Sequence, residues 1–258
     1  MRATATYSNI PHYINSKSSL ELAIKHRTTR VIIGTRDERI LDALQHIKSI
    51  THLDIDHVDL VVLPILPPKL KCLNCADNQL KTLPALPSTL VHLICGGNEN
   101  LTVPTTLPPN LITLKCEDNE WAKLPPLPST LKILDCHQNI LTKLPALPPG
   151  LTMLYCARNK LTVLPTLPST LTYLSCTVNK LVHLPTLPPS LKNLDCGNNQ
   201  LVDLPTLPPS LKDLVCSHNK LTELPPLPPN LEHLFSSGNL TKFADFATYG
   251  SKKQYYRD

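Results

Sequence analysis

The sequence predicts a repeat solenoid of α/β type, mainly β, with short parallel strands on a concave face and an extended convex side. Three observations predict it. A skeleton, L-x-x-L-x-C-x-x-N-x-L-x-x-L-P-x-L-P-x-x, returns every twenty residues, as from Leu191 to Leu211. The 27 prolines among 258 residues recur at fixed places between leucines, which argues for order rather than low complexity. Within each copy, L-x-x-L-x-C alternates apolar and variable residues over too short a span for a helix, so it reads as a strand.

The chain divides accordingly into an N-terminal lead and helical cap (1–49), a solenoid (50–239) and a C-terminal cap with a polar tail (240–258). Residues 1–17 carry no periodicity and are expected to be irregular. Ser18-Ser19-Leu20-Glu21 fits a capping box, predicting a helix with Leu20, Ala23 and Ile24 on its apolar face that ends near His26. Val31-Ile32-Ile33, closed by Gly34, reads as a buried strand. Asp37 opens a second helix with Ile40, Leu41, Leu44 and Ile47 on one side. The spacing of Ile33, Leu53 and Leu73 places this cap in register with the repeats, as a cover for the terminal coil.

A degenerate copy spans 50–69. Close copies begin at Leu70, Leu90, Leu111, Leu131, Leu151, Leu171, Leu191 and Leu211, and a half-copy begins at Leu231. The copy at Leu90 has one extra residue, which a bulge in the Gly96–Asn100 turn would absorb. Phe243, Phe246 and Tyr249 suit a closing cap, and 251–258 suits a fraying tail.

Each fixed position has a physical reason. Stacking at about 4.8 Å per coil makes a parallel sheet, with Leu194 and Cys196 inward and Asn193 and Asp195 outward. The L-P-x-L-P return cannot be helical, because proline removes a donor and disfavours helix in its predecessor, so it runs as polyproline II. The asparagines (Asn78 to Asn239) lie where the chain leaves the strand, and their amides can pair backbone groups left open there. The cysteines (Cys75 to Cys216) are small enough for a narrow interior.

Several function classes are disfavoured. The net charge of +5 comes from scattered lysines with only 4% aromatics, which does not look like a nucleic-acid surface, and no nucleic-acid partner is expected. No apolar run is long enough to span a membrane. The polar first residues show no signal peptide, so an intracellular, cytoplasmic location is expected, inside a host cell if the chain is viral or an effector. In that setting all nine cysteines are expected to be thiols.

Cys72-Leu73-Asn74-Cys75 is a C-x-x-C, but strand alternation points its two thiols apart and no second pair lies nearby, so zinc is not expected. The Asp54, Asp56, His57, Asp59 knot reads as a solvated turn rather than a metal site. His137 and His218 have no nucleophile in reach, so no enzyme activity and no cofactor are expected. The sequons at Asn100 and Asn239 are read as structural.

The repeat resembles the short, bacterial-type leucine-rich repeat of about twenty residues, found in secreted bacterial effectors and in proteins of giant viruses that infect amoebae. The resemblance covers 50–239. It implies an open solenoid that binds protein partners. Some effectors of this class also carry a ubiquitin-ligase domain with a catalytic cysteine. No cysteine follows Cys216, so that activity is not carried over.

Function is therefore sought in the outward strand residues. Ile133, Met153, Tyr155 and Tyr173 make an apolar centre, rimmed by Lys115, Lys132, Asp135, Lys192, Asn193, Asp195 and Asp213. Apolar anchors in a charged rim suit a protein interface. The reading is a protein-interaction module, monomeric or weakly oligomeric, that binds a partner protein on its concave face. Substrate recognition for a ubiquitin-ligase assembly, or a structural role in a virus particle, are its alternatives.

Overall fold

The computed structural model describes residues 11–240 and 254–255. The chain forms two compact units, Met1–Glu120 and Trp121–Asp258. In the first unit, strands β1 (His12–Ile14), β2 (Arg30–Ile33), β3 (His52–Asp54), β4 (Cys72–Asn74), β5 (His92–Ile94) and β6 (Thr113–Lys115) follow one another in chain order. Each pairs parallel with the next. In the second unit the same holds for β7 (Ile133–Asp135), β8 (Met153–Tyr155), β9 (Tyr173–Ser175), β10 (Asn193–Asp195), β11 (Asp213–Val215) and β12 (His233–Phe235). Two residues of the expected tail, β13 (Gln254–Tyr255), pair parallel with β12. The Phe243, Phe246 and Tyr249 cap lies outside the described residues.

The N-terminal elements depart from expectation in three ways. The supposed irregular lead contains β1, which pairs with β2. Helix α1 (Lys17–Lys25) is capped by Ser16, whose hydroxyl accepts from the Ser19 N–H at 3.3 Å, while Ser19 closes the box. The turn out of β1 fixes that start, so Ser18 and Glu21 fall inside the helix and Ile24 ends half-exposed. The return from β2 to β3 is also longer than the later ones, since Val31, not Ile33, pairs with Leu53. That return is α2 (Glu38–Ala43), capped by Asp37 as expected, followed by a 3-10 turn at Leu44–His46.

Beyond the cap every coil is built alike. In β4 to β11 the central leucine of each strand and the cysteine that follows are buried, as with Leu154 and Cys156, both fully enclosed. The cysteine N–H then donates to the strand-end carbonyl of the next coil, as from Cys156 to Ser175 O and Cys196 to Val215 O, both 2.8 Å. Trp121, which takes a leucine position, is the largest fully buried side chain.

Two features had no sequence signature strong enough to read in advance. The residue before each ladder asparagine is left-handed: Gln138, Arg158, Val178, Asn198 and His218 have φ between 52° and 54°. Asn and His tolerate this. A β-branched residue does so at a cost of about 1–2 kcal/mol, which makes Val178 a strained position. The second feature is a hydroxyl ladder before several of the strands. Ser210 Oγ donates to Leu191 O at 2.7 Å, Ser190 Oγ to Leu171 O at 2.7 Å and Thr170 Oγ1 to Leu151 O at 2.7 Å.

The long copy keeps its strand register, with Leu93 opposite Leu114, and the surplus residue is taken up in a turn after Asn98. Just before it, Gly97 holds the same left-handed conformation as its counterparts in the other coils, and a Cβ on it would displace the Asp77 carboxylate, 2.3 Å away. In the same copy Pro104 stands where the others place the leucine of L-P. A cleft of about 360 Å³ lies beside it, between 83–88 and 104–109.

Gly150 interrupts the hydroxyl ladder, and a Cβ there meets only the mobile end of Lys132. Gly150→Ser is expected to raise stability by about 1 kcal/mol through one hydrogen bond and a stiffer unfolded chain. Urea unfolding followed by fluorescence of Trp121 measures this, and an unchanged or lower midpoint would contradict it.

Candidate functional site

The second unit arranges the outward residues in rows set by strand register. Ile133, Met153, Tyr173, Asn193, Asp213 and His233 form one row, and Asp135, Tyr155, Ser175, Asp195, Val215 and Phe235 the next. Lys132, Lys192 and Lys212 stand exposed one residue before their strands. Ten of the eleven residues singled out in the sequence therefore share this unit. Lys115 does not: it ends β6 in the first unit, opposite Ile94 on β5. Its place at the sixth strand was legible, but not the division of the chain between Glu120 and Trp121.

At the centre the Tyr155 and Tyr173 rings lie 4.7 Å apart, tilted by 33°. The Tyr155 hydroxyl reaches the Met153 sulfur at 3.8 Å. Aromatic pairs at this separation gain about 0.5–1.5 kcal/mol beyond their buried area, which holds the two rings as one platform. Burial pushes the Tyr173 phenol above its ordinary pKa, followed by Tyr155 and then by Asp195, Asp135 and Asp213. The three carboxylates add to the negative field at that hydroxyl.

Those carboxylates differ in what they hold. Asp135 Oδ1 lies 2.6 Å from His137 Nδ1. Asp213 accepts from Asn193 Nδ2 and faces His233 Nδ1 at 2.5 Å. Asp195 accepts only a 3.3 Å bond from the Gly197 N–H, and burial, only partly offset by that bond, drives its pKa up. It has no ion pair among the described residues. His233 was passed over in the sequence, although the twenty-residue register sets it beside Asp213.

The remaining candidates resolve into structure. Asp59 pairs with Arg36, His57 faces Asp56 at 3.2 Å and Asp77 at 3.4 Å, and Asp54 accepts from Asn74 at 2.9 Å. The acidic knot is a cross-linked turn. No group of three or more His, Cys, Asp or Glu residues able to hold a metal occurs among the described residues. Cys72 is half-buried and Cys75 buried, as alternation required. Burial lifts the Cys75 and Cys216 thiols to about 12, and the enclosed Cys95, Cys156, Cys176 and Cys196 well above the ordinary value. Such thiols are poor nucleophiles. No described helix is long and apolar enough to cross a membrane.

Asp195 carries a stability consequence. Its folded pKa is raised, so its charge weakens the fold above that pKa, and the penalty fades as pH falls through it. Asp195→Asn is therefore expected to raise Tm at pH 7, with the gain shrinking as the pH drops toward 4. A lower Tm at neutral pH would show that the carboxylate is stabilised by something other than the Gly197 N–H.

No protein-family model matches the sequence, and no curated protein does either. Among solved structures, YopM from Yersinia enterocolitica is 44% identical over 76% of this chain and 44% of its own, with a TM-score of 0.74. A Shigella effector leucine-rich-repeat domain is 40% identical over 50% of this chain and 60% of its own, with a TM-score of 0.49. The functional domain of InlJ from Listeria monocytogenes, described as including a cysteine ladder, is 26% identical over 90% of this chain and 54% of its own, with a TM-score of 0.71. The chain spans less than two thirds of each of these. With its twenty-residue units, parallel strands and proline-rich returns, the chain is a leucine-rich-repeat solenoid similar in fold to YopM and InlJ.

Proposed function

We propose that the chain is a protein-interaction module and that the strand face of its second unit docks a partner protein, in contact between a host and a pathogen. The observation that carries this reading is the Tyr155–Tyr173 platform. Two large, half-exposed aromatic rings stand on rigid strands with Met153 beside them and ionic groups around them. Tyrosine offers much contact area at little entropic cost, and hot spots favour such residues within a polar surround. The strands are held by bonds to both neighbouring coils, so little ordering is lost on association. The likeness to YopM and InlJ supports the same reading at the level of architecture.

The double variant Tyr155→Ala with Tyr173→Ala is expected to abolish capture of the partner by immobilised protein, read by quantitative mass spectrometry. Val182→Ala on the proline-rich side should leave capture intact. Capture that survives the double variant would sink the proposal for this face.

A further inference from the structure

We propose that Tyr155, Tyr173 and Asp195 form a seat for one cationic side chain of the partner, an arginine guanidinium. The inference rests on the docking reading above and adds the chemistry that the surface recognises. Its geometry comes from the register. Tyr155, Ser175 and Asp195 follow one another along a row, so the platform and the carboxylate are two strand spacings apart, about 10 Å between backbones. Ser175, between them, is buried and adds no bulk. Tyr173 belongs to the strand of Ser175 and lies against Tyr155. A planar cation stacked on the rings can reach the carboxylate at its edge.

The electrostatics favour that occupant. Asp135 and Asp213 already engage His137 and His233, whereas among the described residues Asp195 has one weak backbone contact and no cation. A half-buried carboxylate without a counterion costs stability, and a partner's cation would offset that cost on binding. The ring faces attract cations, most strongly when water is excluded. Arginine fits better than lysine, because its planar fork can stack on an aromatic ring while donating two bonds to one carboxylate. The exposed Lys132, Lys192 and Lys212 would repel a polybasic run, which limits the recognition to a single seated cation.

The test uses the full chain with carbon-13-labelled tyrosine, Tyr155 and Tyr173 resonances being assigned by Tyr155→Phe and Tyr173→Phe. The probes are N-acetyl-arginine-N-methylamide and its uncharged citrulline counterpart. The arginine probe should produce saturable shifts at both rings, weakened at least about fivefold by Asp195→Asn, and the citrulline probe should bind at least about fivefold more weakly. Equal binding of the two probes would overturn the seat, as would Asp195→Asn binding like the parent chain. Either result, found together with loss of capture in the double tyrosine variant, would reject the seat and leave the docking surface standing.

Discussion

The whole structure depends on satisfying backbone groups where each strand ends. A parallel coil that turns after three paired residues leaves amides and carbonyls open in a dry interior, and an unpaired buried group costs about 1–3 kcal/mol. One asparagine per coil resolves this. Asn159 Nδ2 donates to Cys136 O at 3.0 Å, Cys156 O at 3.2 Å and Ala157 O at 3.1 Å, and its Oδ1 accepts from Leu141 N at 2.9 Å. Asn219 repeats the pattern three coils later, on Cys196, Cys216, Ser217 and Leu201. Glutamine is longer and aspartate lacks the donors, so only asparagine serves all four groups. The left-handed residue before it marks the sharp bend out of the strand, and it occurs also at His57, before Val58 in the coil that has no ladder asparagine.

This constraint also explains what the sequence revealed. Leu194, Cys196 and Asn199 each do one job in every coil, so repetition made their roles readable. The cap was less readable for the opposite reason. Its helix begins at Lys17 because β1 ends at Ile14, a pairing of three residues with no repeat to announce it. Val178 looked like any variable position, since backbone strain leaves no mark on a side chain chosen elsewhere as Asn198 or His218. The outward rows were legible once the period was known, yet Lys115 was grouped with residues of another unit. The pairing of Asp213 with His233 needed side-chain distances that no spacing supplies.

The division of labour within a coil has a functional consequence. Inward positions are committed to leucine, cysteine and asparagine, so on the docking reading proposed above specificity would be carried by the outward strand positions. There the second unit keeps an arrangement that a purely stable solenoid would not favour: a carboxylate at Asp195 that burial penalises, and aromatic rings left half in water. Stability given up at a surface is what a binding face trades for recognition.

The asparagine ladder is the claim on which the account stands, and Asn159→Leu tests it most directly. Leucine keeps the volume but serves none of the four backbone groups. Urea unfolding reported by Trp121, the single tryptophan, should show a loss of at least about 3 kcal/mol, while Cys156→Val, which alters only packing, should cost less than about 1.5 kcal/mol. An Asn159→Leu variant as stable as the parent chain would show that the coils hold without their asparagines, and would contradict the account.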